Sequence, residues 1–302
     1  MRNGTGLRLG FVILAWNSEK VIGPCLESIF AMKGIESHVV VVDNGSTDDT
    51  LARVDAAWAK FSGDPGGSTL EIIRLTENQG TTVPRNLALR VLMAENMDYY
   101  CVLDSDTVVN EAAFVVMARE LDAHPGYGMI GPTLISSAGV RQMSARNFPT
   151  AVVKLLKAAP LAALQRLGER MEQPRPAGAG ANSYPVDCLM SACWLIRPEA
   201  LAAAGLLDER IFYAPEDVEY CIRMWKSGNQ VAFCPGARII HEWQRLSKKR
   251  FFSRINWEHI KGLAYMFAKH RYLFGTRRLK HSFPSAAGVA PTEDIGNVAE
   301  DQ

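Results

Sequence analysis

The sequence predicts an α/β protein: a Rossmann-like, mostly parallel central sheet flanked by helices. Three observations lead there. Strand-like runs alternate with segments of helical spacing through the first half of the chain, the pattern of parallel strands joined by helical crossovers. The run His38–Val42 is apolar and β-branched, as in a buried strand. Three such runs end in a polar side chain, Asn17, Asp43 or Asp104, and the carboxyl ends of strands in an open α/β sheet are where ligands bind.

Leu7–Ala15 reads as the first strand. Lys20–Met32 follows, with Val21, Ile22, Leu26, Ile29 and Phe30 at helical spacing. After the second strand, "DNGSTDDT" is a turn into a helix, and Ser46 with Asp49 resembles a capping box. Leu70–Leu75 is a third strand, Asn78–Arg85 a loop and Asn86–Glu95 a helix. Tyr99–Val109 is the next strand, carrying Asp104-Ser105-Asp106 near its end.

Thr150–Met171 reads as one amphipathic helix. A Pro/Gly/Ala linker covers Gln173–Pro185, and a second patterned block runs from Val186 to Glu242. From Arg245 to His281 eleven Lys and Arg face only Glu258, interleaved with Trp257, Tyr265, Phe274 and other aromatics. The expected domains are 1–244, with halves of about 1–110 and 111–244, then a basic helical extension over 245–281. Residues 282–302 read as a disordered tail.

The chain of 302 residues holds 33 Lys and Arg against 32 Asp and Glu. That balance argues against a nucleic-acid binder. Six cysteines include no C-x-x-C pair, so a zinc site is not expected, and they read as core residues in a reduced setting. Neither a signal peptide nor a membrane span is evident. The expected location is cytoplasmic, with peripheral contact to the inner face of the membrane.

Asp104 and Asp106 on a continuing strand would point the same way. Two like charges so placed can hold a hard cation such as Mg²⁺ or Mn²⁺, and through it a diphosphate. A solvated turn is the alternative reading. Asp43 can accept hydrogen bonds from a base or ribose, or act as a turn residue. Glu216 and Asp217 before "VEYCIRMW" are either reactive carboxylates or first-turn acids favoured by the helix dipole. His241 is either a ligand or a partly buried histidine. Asp208 and Arg223 read as members of structural pairs, and Trp194 as core.

The ordered set Trp16-Asn17, "VVVVDNGSTDDT", "NQGTTVPRN", Asp104-Ser105-Asp106, "GLLDERIFYAPEDVEYCIR" and His241 closely resembles the family 2 glycosyltransferases of GT-A fold, in their rhamnosyltransferase and polysaccharide branch. The resemblance spans Leu9 to about Leu279. It implies a donor site at Trp16, Asn17, Asp43, Asn78, Arg85, Asp104 and Ser105. It also implies a Mg²⁺ or Mn²⁺ site at Asp104, Asp106 and His241, and a catalytic base at Asp217 with Glu216 second. The implied reaction is inverting transfer from a dTDP- or UDP-sugar, rhamnose first, to a glycan or lipid-linked glycan, with membrane contact through 245–281. Rival readings are a sugar nucleotidyltransferase and a non-catalytic glycan- or membrane-binding scaffold. Glu219 and Ala192 depart from the usual pattern, where aspartate and glycine are common.

Overall fold

The computed structural model describes residues 6–63, 67–174, 182–242 and 254–284. The first half contains β1 (Leu7–Ala15), α1 (Ile22–Phe30), β2 (Ile35–Asn44), α2 (Thr50–Ala59), β3 (Thr69–Leu75), α3 (Thr82–Leu92), β4 (Tyr99–Asp104), β5 (Thr107–Val108) and α4 (Glu111–Ala123). Then come β6 (Tyr127–Ile135), β7 (Ala145–Arg146), α5 (Ala151–Ala158), α6 (Ala162–Glu172), β8 (Tyr184–Pro185), β9 (Cys188–Leu189), β10 (Cys193–Ile196) and α7 (Pro198–Ala204). The last elements are α8 (Glu216–Lys226), β11 (Gln230–His241), α9 (Arg254–His270) and α10 (Arg277–His281).

The main sheet runs β3-β2-β1-β4-β10-β6-β11-β5, with β8 beside β11. Strands β3, β2, β1 and β4 are parallel, as expected, and β6 and β11 are parallel to each other. Strand β10 is antiparallel to both its neighbours, so the sheet as a whole is mixed. Strands β7 and β9 form a separate ribbon.

Side chains alternate across each strand, and here both faces are covered. Leu9, Phe11, Ile13, Val39, Val41, Cys101 and Leu103 enter one core with α1, α2 and α4. Val12, Val40, Val42, Tyr100 and Val102 enter the other, with α3, α7 and α8. Two buried faces explain why Val39–Val42 of β2 form an unbroken apolar run. All six cysteines are buried free thiols inside these cores. Trp194 is fully buried and stacks on Tyr220.

Several local expectations need correction. Ser46 and Asp49 form no capping box. Asp49 holds the N-cap position of α2 without a side-chain cap bond, while Asp48 accepts from Thr50 N and Thr50 Oγ1. Helix α3 starts at Thr82, not Asn86, which puts Arg85 on the helix. Pro84 fits there because first-turn amides have no intrahelical partner to lose. The strand at Tyr99 stops at Asp104, and Ser105 and Asp106 form a turn. Thr107 Oγ1 closes that turn by donating to Asp104 O at 2.8 Å. Thr150–Met171 is two helices, broken around Pro160. The linker's end, Tyr184–Pro185, is strand β8. Residues 175–181, 243–253 and 285–302 lie outside the described residues, so those parts of the linker, basic segment and tail go untested.

Helix α9 is held against α8 by a buried charge cluster. Glu219 accepts from Arg223 Nε at 3.0 Å and from Lys269 Nζ at 2.5 Å, and lies 3.2 Å from His270 Nε2. Lys269 also reaches Asp208, which Arg210 and Tyr265 bind too. Asp208 and Arg223 are thus structural pairs. Burial raises the Glu219 pKa, but the His270 bond, Arg223 and Lys269 outweigh it and bring it from 4.5 to about 2. Burial, with Lys226 and Lys269 nearby, holds His270 below its usual range, so its bond to Glu219 is that of a neutral imidazole.

A group with a depressed folded pKa stabilises above its unfolded pKa and loses that contribution as pH falls through the folded one. Glu219 is therefore expected to contribute about 3 kcal/mol above roughly pH 4.5, lost progressively towards pH 2. Urea denaturation across that window checks this. Glu219→Gln should flatten the acid limb, and an unchanged limb would contradict the assignment.

Candidate active site

The parallel register brings three predicted strand ends together: Ala15 pairs with Asp43 and Leu14 with Asp104. Asn17 follows directly and has φ +49°, a left-handed conformation that asparagine tolerates better than most residues. Its Oδ1 accepts from Thr47 N at 2.9 Å, and its N donates to Ser46 Oγ at 2.9 Å. Buried Asp43 accepts from Ser46 N at 3.2 Å. Together these contacts form one wall. Trp16 is 41% exposed at its rim, and Ser105 Oγ lies 3.1 Å from Ser18 Oγ.

Asn44 completes this side, and sequence reading did not single it out. It accepts from Gln79 N and donates to Gly80 O and to Asn78 Oδ1. Asn78 is thereby committed to shaping its own loop. Gly80 has φ +84°, and a Cβ there would lie 2.0 Å from Phe212 O; only glycine fits. Thr81 and Thr82 then donate to the carbonyls of Tyr213 and Ile211. The loop near the first strand ends is thus fastened to the segment leading into α8.

Arg85 is the centre of the site. It is 3% exposed, with Nη2 donating to Asp104 Oδ1 at 2.7 Å and Nη1 to Glu216 Oε1 at 3.0 Å. One cation thus joins the Asp-Ser-Asp turn to the Glu-Asp pair, which lie far apart in sequence. Ser191 Oγ also donates to Glu216 Oε1, at 3.1 Å. Burial, then the neighbouring Asp217 charge, pushes Glu216 up to about 7. Burial likewise raises Asp104, against the pull of Arg85. Tyr213 lies near enough for Glu216 and Asp104 to act on its phenol, which burial first and those charges next push upward.

Asp104, Asp106 and His241 each offer a ligand atom within 4.8 Å of the others. His241 Nε2 is 3.3 Å from Asp106 Oδ1 and 4.0 Å from Asp104 Oδ2. His241 Nδ1 is 2.7 Å from Gln142 Oε1, while Gln142 Nε2 donates to His241 O at 2.8 Å. That pairing puts a proton on Nδ1 and turns Nε2 to the carboxylates, as in histidines that ligate metals. Burial opposes the charged imidazole, but the hydrogen bond and charge of Asp106 raise its pKa overall. Two hard oxygens and one imidazole suit a Mg²⁺ or Mn²⁺ site.

Asp217 opens helix α8 beside Glu216, where the helix dipole favours acids. It is 14% exposed and accepts from Arg146 Nη2 at 2.5 Å. Arg146 and Gln142 had no sequence signal, and Ser191 and Tyr213 lay within or beside the recognised motifs without being given a role: short strands and loops bring all four in, without periodicity. A groove of about 660 Å³ between α1 and α2, lined by Glu19, Lys20, Arg53 and Lys60 among others, contains none of the predicted residues. The paired acids, not the size of that groove, mark the site.

A parallel half-sheet with acids at its strand ends, joined by a mixed half, is the GT-A architecture of nucleotide-sugar glycosyltransferases. Residues 8–259 match the family described as "Glycosyltransferase like family 2", and the chain belongs to that family. Among curated relatives, the low-salt glycan biosynthesis hexosyltransferase Agl10 of Haloferax volcanii is 23% identical over 253 residues, covering 81% of this chain and 70% of Agl10. The poly(ribitol-phosphate) beta-N-acetylglucosaminyltransferase TarS of Staphylococcus aureus is 31% identical over 121 residues, covering 39% of this chain and only 19% of TarS. Among solved structures, the mannosyltransferase PcManGT of Pyrobaculum calidifontis, in complex with GDP-Man and Mn²⁺, superposes with a TM-score of 0.57 at 17% identity, covering 92% of this chain and 69% of that one.

Proposed function

We propose that this chain is a metal-dependent, inverting glycosyltransferase. It moves a sugar from a nucleoside diphosphate donor to a glycan or lipid-linked glycan in cell-surface polysaccharide synthesis. The observation that carries this is Arg85, which places a three-ligand acidic cluster on one side and the Glu216–Asp217 pair on the other. Agl10 and TarS bear names from glycan and polyol-phosphate glycosylation, and PcManGT was solved with a sugar nucleotide and Mn²⁺.

Asn17, Asp43 and Ser105 line the nucleoside side, with Trp16 at the rim and Asn78 shaping the adjoining loop. A divalent ion held by Asp104, Asp106 and His241 would supply positive charge against the leaving diphosphate. Asp217 takes the proton of the acceptor hydroxyl, and single displacement inverts the anomeric carbon. Glu216, buried on Arg85 and Ser191, positions Arg85 and is not the base.

A thermal-shift panel of UDP, dTDP and GDP and their sugars, with and without Mn²⁺, tests this; dTDP-rhamnose is the first donor to try. A ligand of the folded state raises Tm by mass action. Asp106→Asn should abolish the Mn²⁺-dependent part of the shift. A panel without any Mn²⁺-dependent stabilisation, or an unaltered one in the variant, contradicts the reading.

Membrane contact belongs to the same proposal. No described helix is long and apolar enough to cross a membrane. Yet Trp257, Ile260 and Phe274 are 59%, 56% and 73% exposed, and Lys261, Arg271, Arg277 and Arg278 lie close in sequence. Apolar anchors with cations suit an anionic lipid surface. Flotation with phosphatidylglycerol vesicles, compared with phosphatidylcholine alone, checks it. Trp257→Asp with Phe274→Asp should lower binding roughly tenfold, and equal binding contradicts it.

A further inference from the structure

Both oxygens of Asp217 are already engaged. Oδ2 accepts from Arg146 Nη2 at 2.5 Å, and Oδ1 accepts from the next residue's amide, Val218 N, at 2.8 Å. In that state Oδ2, the oxygen that would take a proton, is occupied by a guanidinium. Arg146 sits on the β7–β9 ribbon, and its Nε is buried without a hydrogen-bond partner. A guanidinium offers donors in a fork that matches phosphate and carboxylate, so this one has capacity left over.

Further cations lie nearby, beside the buried carboxylate of Glu172, whose charge also acts on Arg146. Lys154 of α5 is only loosely held, at 3.4 Å from Glu172, and 29% exposed. His259 of α9 lies close enough that Lys154 and Arg146 both act on its ring. Burial first, then those two charges, lower its pKa, against the pull of Asp217. Three elements therefore bring Arg146, Lys154 and His259 near one another, with Arg146 bonded to the carboxylate assigned as base.

We propose that the acceptor carries an anionic phosphate group beside its reacting hydroxyl, and that this anion takes Arg146 from Asp217. The proposal rests on Asp217 being the base. A buried guanidinium left unpaired is strongly penalised, so the Arg146–Asp217 pair opens when another anion replaces Asp217 as partner. A neutral acceptor offers no such replacement. Once Arg146 has moved, the hydroxyl proton passes to Asp217 Oδ2 and the acceptor oxygen bonds to the anomeric carbon. The bond from that carbon to the diphosphate breaks, and its electron pair leaves with the diphosphate. Arg146 is then both a recognition residue and a lock: the base is released only in the presence of the correct acceptor.

The phosphate could belong to a polyol-phosphate chain or to a prenyl diphosphate carrier, and the probes separate these. Isothermal titration compares sn-glycerol 3-phosphate, geranyl diphosphate and neutral glycerol, each with and without saturating UDP and Mn²⁺ so that the donor side is occupied. The phosphate-bearing probes should bind at least about tenfold tighter than glycerol. A stronger signal from one of the two phosphates identifies the source. Arg146→Gln should erase the preference with nucleotide affinity unchanged, and Arg146→Lys should restore part of it.

Asp217→Asn gives the decisive reading. If Asp217 and the ligand compete for Arg146, removing the carboxylate's charge tightens glycerol 3-phosphate binding, by roughly tenfold. Unchanged or weaker binding overturns the displacement, and equal binding of glycerol and glycerol 3-phosphate to the wild type overturns the site. Should Arg146→Gln fold poorly, Arg146→Gln with Asp217→Asn removes both charges together and must still show no phosphate preference. Failure of UDP and Mn²⁺ to bind would count against the proposed function, whereas the arms without nucleotide still report on Arg146.

Discussion

Asp217→Asn is expected to lower the transfer rate by about 10²–10⁴-fold while leaving nucleotide affinity within about twofold. The substitution keeps size and one acceptor oxygen, so the bond from Val218 N can persist. On the proposed assignment, what it removes is the ability to hold the acceptor's proton as the new glycosidic bond forms. The neighbouring acid is a poor substitute. Glu216 is buried and its Oε1 is already shared between Arg85 and Ser191. Single-turnover transfer measured beside nucleotide titration separates the two effects, and turnover equal to wild type removes Asp217 from the chemistry.

Arg85→Met should be the most damaging change to the folded state. It leaves two buried or half-buried carboxylates, Asp104 and Glu216, facing each other without the cation between them. Removing one partner of a buried pair costs about 3–5 kcal/mol. Denaturant melts should show a loss of that order, and the Mn²⁺-dependent shift should weaken because Asp104 loses its anchor. Adding Glu216→Met removes the orphaned acid nearest the core and should return much of the stability without returning activity. An Arg85→Met variant as stable as wild type would show that the bridge is incidental.

Much of this was legible in the sequence, for identifiable reasons. The strands at Leu7, His38 and Tyr99 were readable because burial on two faces leaves long apolar runs, and the edge strand at Leu70 from its apolar, β-branched residues between Glu71 and Arg74. The polar strand ends followed, and parallel register then placed Asn17, Asp43 and Asp104 side by side. The Asp-Ser-Asp motif was found, but not its geometry: Asp106 faces His241 through a turn, not through strand alternation. Arg85 was read as the end of a loop, but the helix begins at Thr82, and Pro84 is no obstacle because the first turn of a helix tolerates proline. Arg146 and Gln142 stayed invisible. Each acts through a partner at least 70 residues away, Asp217 and His241, and no local pattern announces such a meeting.

Gly262 carries a last consequence. It is the point where α9 touches the chain just ahead of Glu216, and a Cβ there would stand 2.2 Å from Ala214 O and 3.0 Å from Pro215 Cδ. The helix whose exposed side holds Trp257 and Ile260 thus packs, with no room for a side chain at Gly262, on the two residues that precede the Glu216–Asp217 pair. If the proposed surface contact holds, a force that shifts this helix is passed to the segment that carries Glu216 and the proposed base Asp217. Where the protein rests and whether it turns over would then be one mechanical question, settled through a contact the width of a hydrogen atom.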